Sequence, residues 1–353
     1  MKVDKYLRNA LIQPYATVVP EQDIVISSRI RLARNLRDYR FPAYMTANER
    51  EQLIAKLKQV VANLDIAGIG KLDFFLLREI DQLERQALVE KHLFSLNMAN
   101  SAEAGAFAVN ESESLSLLIA EEDHLRIQAI LPGLQLKTAS IMADSIDDAI
   151  AAVIVYAFDE NYGYLTCCPT NVGTGIRASV MLHLPALVIS KQIRKVIEAA
   201  SQVGLVFRGI YGEGSEPLGN LFQISNQVTL GMSEHEIIEN LQGVVEQVIE
   251  LERRGRQQLM EQNREKFTDQ IGRTYGILAN ATIMSSKEAT ARLSDLRFGA
   301  SLELVGALSP RDVDELFVQI QPGFLQYQVG RALNEQERDI ERANIIRGRI
   351  RNR

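Results

Sequence analysis

The stretch Leu125-Arg126-Ile127-Gln128-Ala129 decides the fold. Its apolar residues alternate with polar ones at a spacing of two, the period of a strand with one buried and one open face. A second segment reads the same way. After Asp23-Ile24-Val25-Ile26, the run Ser27-Ser28-Arg29-Ile30-Arg31 sets Arg29 and Arg31 two apart, so both project to one side of a sheet. Such segments come in runs and lack the regular helix after each strand that a parallel sheet requires. The chain is therefore expected to be α+β, built on a mostly antiparallel sheet.

Helix starts are well marked. Thr46-Ala47-Asn48-Glu49 and Ser233-Glu234-His235-Glu236 spell capping boxes, each followed by apolar residues at helical spacing. Near residue 255 the texture changes: Arg253-Arg254-Gly255-Arg256-Gln257-Gln258 opens a polar stretch, and everything after it reads as helix. Ser285-Ser286-Lys287-Glu288 caps one helix, Ser309-Pro310 starts another, and there Val313, Leu316, Phe317 and Ile320 form one apolar stripe. The expected division is a catalytic-size domain over 1–255 and an all-helical domain over 256–353, which could close on itself or pair with a second copy.

Composition excludes several classes. The strongest apolar run, residues 149–158, is too short to span a bilayer, and no charged-then-apolar leader opens the sequence, so the cytoplasm is the default expectation. Lys plus Arg number 39 against 45 Asp plus Glu; the net charge of −6 disfavours non-specific nucleic-acid binding. The two cysteines, Cys167 and Cys168, are sequence neighbours and read as free thiols of a reducing compartment. Neither HExxH nor paired Cys-x-x-Cys spacing occurs, so no protein-held metal site is expected. GxxxxGK[ST] is also missing, as is a GxGxxG that follows a strand and opens a helix, so a phosphate site here is neither a P-loop nor a Rossmann turn.

What remains is arginine. Besides Arg29 and Arg31, arginine stands beside small or turn-forming residues in Asp123-His124-Leu125-Arg126, in Cys168-Pro169-Thr170-Asn171-Val172-Gly173-Thr174-Gly175-Ile176-Arg177 and in Arg208-Gly209-Ile210-Tyr211-Gly212-Glu213. A guanidinium keeps its charge and offers five donors in a planar fork, so several of them converging would hold a polyphosphate. Glu121-Glu122-Asp123 supplies acids at a strand end, where a carboxylate can orient a nucleophile and accept its proton. Each motif also has a plainer reading: a solvated charged strand, an ordinary glycine turn, a flexible surface loop, an acidic turn, a small buried thiol at Cys168.

Taken in order, these segments resemble the phosphagen kinases, the creatine and arginine kinase family. Residues 27–31 resemble its first nucleotide-binding strand, 121–126 its acidic substrate motif, 168–177 its signature loop and 208–213 its phosphate-binding arginine with the loop after it. Leu88-Val89-Glu90-Lys91-His92 is similar to the segment that brings a histidine near the adenine. The resemblance implies a glutamine-synthetase-like antiparallel sheet flanked by helices, with ATP and phosphate-held Mg²⁺ as cofactors. It also implies catalytic roles for Glu122, Glu213 and Cys168. Implied nucleotide-binding positions are Ser27, Ser28, Arg29, Ile30, Arg31, His92, Arg126, Arg177, Ala178, Ser179, Val180, Met181, Arg208, Gly209, Ile210, Tyr211 and Gly212.

Departures from the small-molecule enzymes bear on the substrate. Only 26 residues precede Ser27, where those relatives carry a helical domain that closes over the guanidino compound, and the C-terminal helical domain is foreign to them. Both features resemble the bacterial protein-arginine kinases, the McsB family, and Arg338-Asp339-Ile340-Glu341-Arg342-Ala343 matches that family's phosphoarginine-binding RDxxRA motif. Arg338, Asp339, Arg342 and Ala343 are thus the implied allosteric residues, although i,i+4 pairs on a solvated helix would read alike. Ala120 stands where many relatives have asparagine and Gln223 where they often have aspartate. The expected activity is γ-phosphoryl transfer from Mg-ATP to arginine side chains of proteins. Implied partners are a zinc-binding activator, a heat-shock transcription repressor and the Clp unfoldase-protease, with a homodimer expected and roles in proteolytic marking and the stress response. The alternatives are a kinase for free arginine or another small guanidino compound, and a non-catalytic adaptor or repressor-binding module.

Overall fold

The computed structural model describes residues 3–11, 19–101, 104–209, 218–306 and 308–351. Its strands are β1 (Val25–Arg34), β2 (Leu72–Leu76), β3 (Ala106–Asn110), β4 (Leu115–Ile119), β5 (Leu125–Pro132), β6 (Phe158–Asp159), β7 (Gly163–Tyr164), β8 (Ile176–His183), β9 (Leu205–Arg208) and β10 (Leu221–Asn226). Eight of them form one sheet in the order β2-β3-β4-β5-β1-β8-β10-β9, antiparallel at every pair, while β6 and β7 make a separate hairpin.

The two segments whose alternation marked them as strands are neighbours at the centre of this sheet. Ile30 of β1 pairs with Ala129 of β5 on one side and with Ala178 of β8 on the other. These residues, with Leu32, Ile127 and Val180, face a core closed by Ala139, Ala143, Ile146 and Ile150 of the helix α4, introduced below. Each large aliphatic side chain buried there contributes about 1.5–3 kcal/mol. The opposite face of the same strands carries the polar alternates.

The helices in the first part of the chain are α1 (Ala47–Ala62), α2 (Gln82–Glu90), α3 (Leu96–Asn100), α4 (Leu136–Ala151), α5 (Pro185–Ile189) and α6 (Ile193–Gln202). Then come α7 (Glu234–Asn280), α8 (Ser286–Ser301), α9 (Pro310–Gln319), α10 (Pro322–Val329) and α11 (Glu335–Arg351). Both expected capping boxes form, Thr46 with Glu49 and Ser233 with Glu236. The stripe Val313, Leu316, Phe317 and Ile320 is buried in a C-terminal core with Leu293 and Leu296 of α8 and Ile346 of α11.

Residue 255 lies inside α7, which continues to Asn280 and departs from helical geometry at Asn263. Within the polar run around it Gly255 and Arg256 are buried, while Arg253, Arg254, Gln257 and Gln258 are exposed. Arg256 donates to Glu252 at 2.9 Å and to the carbonyls of Asp23 and His183, while Glu252 accepts from the amides of Ala186 and Leu187. Arg256 is thus solvated by distant backbone, which hydrophobic periodicity does not register.

The helical layer is fastened to the lead into β1. Buried Arg297 forms two bonds with Asp314, at 2.6 and 3.2 Å, and donates to the carbonyls of Gln22 and Asp23. A second attachment joins α10 to α2: Glu90 accepts from the amides of Gly323 and Phe324, the first turn of α10. No helix is long and apolar enough to cross a membrane among the described residues.

Candidate active site

Register decides where the arginines go. Arg29 lies opposite Ser179, Arg31 opposite Arg177 and Ala33 opposite Arg126, while Arg208 lies opposite Gln223, itself opposite Met181 and so in line with Ser27. Directly paired residues in an antiparallel ladder share a face. Arg29, Arg31, Arg126, Arg177 and Arg208 therefore all project from the face of the sheet opposite α4.

These cations are mutually unfavourable. Burial lowers the pKa of Arg29 to about 10, with repulsion from Arg126 and Arg177 adding to it, and Arg31 is pushed well below its ordinary value by burial and then by Arg29, Arg126 and Arg177. The Arg31 Nε finds no hydrogen-bond partner among the described residues. Arg29 is held by neutral groups, donating to Gln223 Oε1 at 3.0 Å and Ser179 Oγ at 3.4 Å. Five guanidinium groups gathered on one face, with Arg29 and Arg31 repelled by their neighbours, suit an anion.

Acid enters at one edge. The turn between β4 and β5 carries Glu121 and Glu122, and both pair with Arg126, at 2.8 and 3.0 Å. Glu121 is sunk in the turn and also accepts from Ser95 Oγ, whereas the Glu122 side chain is about a third exposed and open to a ligand. The next two residues are buried and structural. Asp123 accepts from Asn35 and from the Cys167 amide; His124 accepts the Leu36 amide at Nδ1, leaving Nε2 to donate to the Arg40 carbonyl. Burial lowers the His124 pKa, in keeping with that neutral tautomer.

The loop at 168–177 needs its glycines. Gly173 has φ +111° and a Cβ there would lie 2.3 Å from the Thr229 carbonyl; Gly175 has φ +67° and its Cβ would meet the Ala33 carbonyl at 2.7 Å. Arg34 anchors the loop, pairing with Asp147, donating to the Thr174 carbonyl at 2.9 Å and lying 3.6 Å from the Tyr164 ring centre. The thiols differ in setting. Burial, then Asp123, pushes Cys167 up to about 12, while the Cys168 sulfur lies 2.9 Å from the Thr170 hydroxyl.

Beyond the arginines a narrow crevice is lined by Ser27, Arg29, His92, Ile130, Ser179, Met181 and Gln223. His92 reaches it from a left-handed backbone conformation, φ 61°, and its carbonyl accepts from Gln128. Burial and the nearby Arg29 lower its pKa to about 4, so its ring is neutral.

Other sequence-derived positions fall elsewhere. Ser28, Ile30, Ala178 and Val180 share these strands but turn their side chains into the core; Ser28 accepts from the Gln135 amide and donates to the Gly133 carbonyl. Gly209 follows β9, while Ile210, Tyr211, Gly212 and Glu213 lie outside the described residues. In α11, Arg342 is buried and donates to the carbonyls of Ile320 and Met284 and to Asp339, Ala343 is buried beside it, and Arg338 donates to the Leu333 carbonyl. Arg347, Arg349 and Arg351 are likewise engaged within the helical layer, with Ala281, Glu315 and Asn280. Two contributors had no clear signal in the sequence: Arg34, because its partner Asp147 is remote, and Glu121, because its neighbour Glu122 reads identically.

Residues 52–255 match the family model "ATP:guanido phosphotransferase, C-terminal catalytic domain", and residues 264–353 match "Protein-arginine kinase McsB C-terminal domain". Similar curated proteins include the protein-arginine kinases of Halalkalibacterium halodurans, 48% identical over 99% of this chain and 98% of that protein, and of Brevibacillus brevis, 51% identical over 94% and 93%. Among solved structures, the duplicated taurocyamine kinase of Schistosoma mansoni aligns with TM-score 0.60 and 29% identity over 68% of this chain; the chain spans only 34% of that longer protein. A lombricine kinase shares the fold, with TM-score 0.58 and 23% identity over 73% of this chain and 76% of the other. The chain belongs to the protein-arginine kinase family, phosphotransferases that join an ATP:guanido phosphotransferase catalytic domain to a McsB-type C-terminal domain.

Proposed function

We propose that this chain transfers the γ-phosphoryl group of Mg-ATP to a terminal guanidino nitrogen of arginine residues in proteins. The observation that carries the reading is the convergence of Arg29, Arg31, Arg126, Arg177 and Arg208 on one sheet face with Glu122 at its margin. The acceptor is a poor nucleophile, because its lone pair is delocalised and its pKa lies above about 12. Glu122 pairs with the incoming guanidinium and takes its proton as the new P–N bond forms and the bond to the departing ADP breaks. The arginines hold the phosphates and stabilise charge on the transferring oxygens, a contribution of several kcal/mol in comparable sites. Glu213 is the second clamp and Cys168 orients the guanidinium.

Mg²⁺ would rest on the phosphate oxygens and water and lend them its charge. The catalytic unit runs to about residue 255 and the helical unit follows it, the latter pairing with a second copy and binding phosphoarginine through Arg338, Asp339, Arg342 and Ala343. In the cell this activity marks proteins for regulated proteolysis and controls stress-response regulators in the cytoplasm. Its partners there are a zinc-binding activator, a heat-shock repressor and the Clp unfoldase-protease. Incubation with ATP and an arginine-rich protein should yield acid-labile phosphate with a P–N signal in phosphorus NMR; acid-stable phosphoserine alone would contradict the reading, and equal or faster transfer to free arginine would favour a small-molecule kinase.

A further inference from the structure

The crevice at the end of the arginine face opens into a larger cavity of about 170 Å³, with which it shares Ser27, His92, Ile130 and Met181. The far side of that cavity belongs to the helical layer: Thr290 of α8, Arg311, Phe317 and Val318 of α9, and Gln321 just beyond it. We infer that the C-terminal helices form the outer wall of the pocket for the base and ribose of the nucleotide, so that ATP is held by both parts of the chain. This rests on the phosphate-cradle reading above and adds to it the residues that recognise the other end of the ligand.

Geometry orders the site. Arg31, Arg29 and Ser27 step along β1 at about 3.3 Å per residue, which puts the mouth of the cavity about 13 Å from the innermost arginine, the scale of an extended nucleotide. Across that mouth stand Met181 and the neutral ring of His92, groups suited to lie against a heterocycle without adding charge. The wall is also fixed rather than incidental. Asp314, which lines the cavity, pairs with Arg297, and Arg297 in turn donates to the carbonyls of the turn leading into β1; Glu90, also in the lining, receives the first amides of α10. A mostly apolar hollow with a few convergent polar groups, continuous with a charged cleft, is the usual form of a small-ligand site.

The test compares ATP with inorganic tripolyphosphate, which has the phosphates and lacks the base. Val318→Phe, which fills the cavity from α9, should raise the dissociation constant for ATP by about tenfold or more and leave that for tripolyphosphate within about twofold. Thr290→Met fills it from α8 and repeats the measurement should the first variant fold poorly. Arg29→Ala should weaken both ligands. Unchanged ATP affinity in the cavity variants, or equal weakening of ATP and tripolyphosphate, overturns the inference. If Arg29→Ala leaves both ligands untouched while the cavity variants still weaken ATP, the phosphate cradle falls and the base wall stands.

Discussion

Arg31 on β1 and Arg177 on β8 stand directly opposite each other in the antiparallel ladder. Like charges in that position oppose folding, by up to about 1 kcal/mol. Arg31→Met should therefore raise the melting temperature of the protein without nucleotide and abolish the further rise on adding Mg-ATP. A variant that melts lower than the parent would show that the two charges are already compensated.

Gln223 meets Arg29 as a neutral acceptor at 3.0 Å. Gln223→Glu keeps the length and supplies a charge, forming a charge-assisted pair that competes with phosphate for the same guanidinium. The KM for ATP should rise by roughly tenfold with the melting temperature equal or higher. An unchanged KM would place Arg29 outside the phosphate contacts.

Much of this arrangement was legible in the sequence because it is local. Alternation at Arg29-Ile30-Arg31 and Leu125-Arg126-Ile127 set the arginines and the core on opposite faces, and the capping boxes at Thr46 and Ser233 fixed where helices begin. What depended on distant partners was not legible. That α7 runs on through the polar stretch at 253–258 is one such feature, because nothing nearby signals that Arg256 is solvated by the carbonyls of Asp23 and His183. The cavity between β1 and α9 likewise joins residues nearly three hundred positions apart, beyond the reach of any periodicity.

Glu90 connects that cavity to pH. Burial raises its pKa from the ordinary 4.5 to about 7, against the opposing effect of the two α10 amides. The folded state thus holds this proton more tightly than the unfolded chain, so this group's contribution to stability is full below about pH 4.5 and is lost as the pH climbs through 7, a change on the order of 3 kcal/mol. Glu90→Gln should remove this slope, so the difference between its melting temperature and the parent's should grow more favourable from pH 5.5 to 8. A constant difference would refute the assignment.

Gly173 tests the loop. With φ +111° and the Thr229 carbonyl 2.3 Å from any Cβ, Gly173→Ala forces the 168–177 turn to move. Transfer activity should drop by at least about tenfold, while global unfolding is destabilised by roughly 1–3 kcal/mol. Full activity would mean that the loop geometry is irrelevant to transfer.

The most direct measurement concerns Glu122. Because Arg126 also pairs with Glu121, replacing Glu122 leaves the cation with a partner and the nucleotide face in place. Single-turnover phosphoryl transfer to an arginine-rich protein should slow by about a hundredfold or more in Glu122→Gln, with the dissociation constant for Mg-ATP within about threefold of the parent. An undiminished rate of phosphoarginine formation, or a loss of ATP binding as large as the loss of rate, would contradict the role of Glu122 as the group that accepts the guanidino proton.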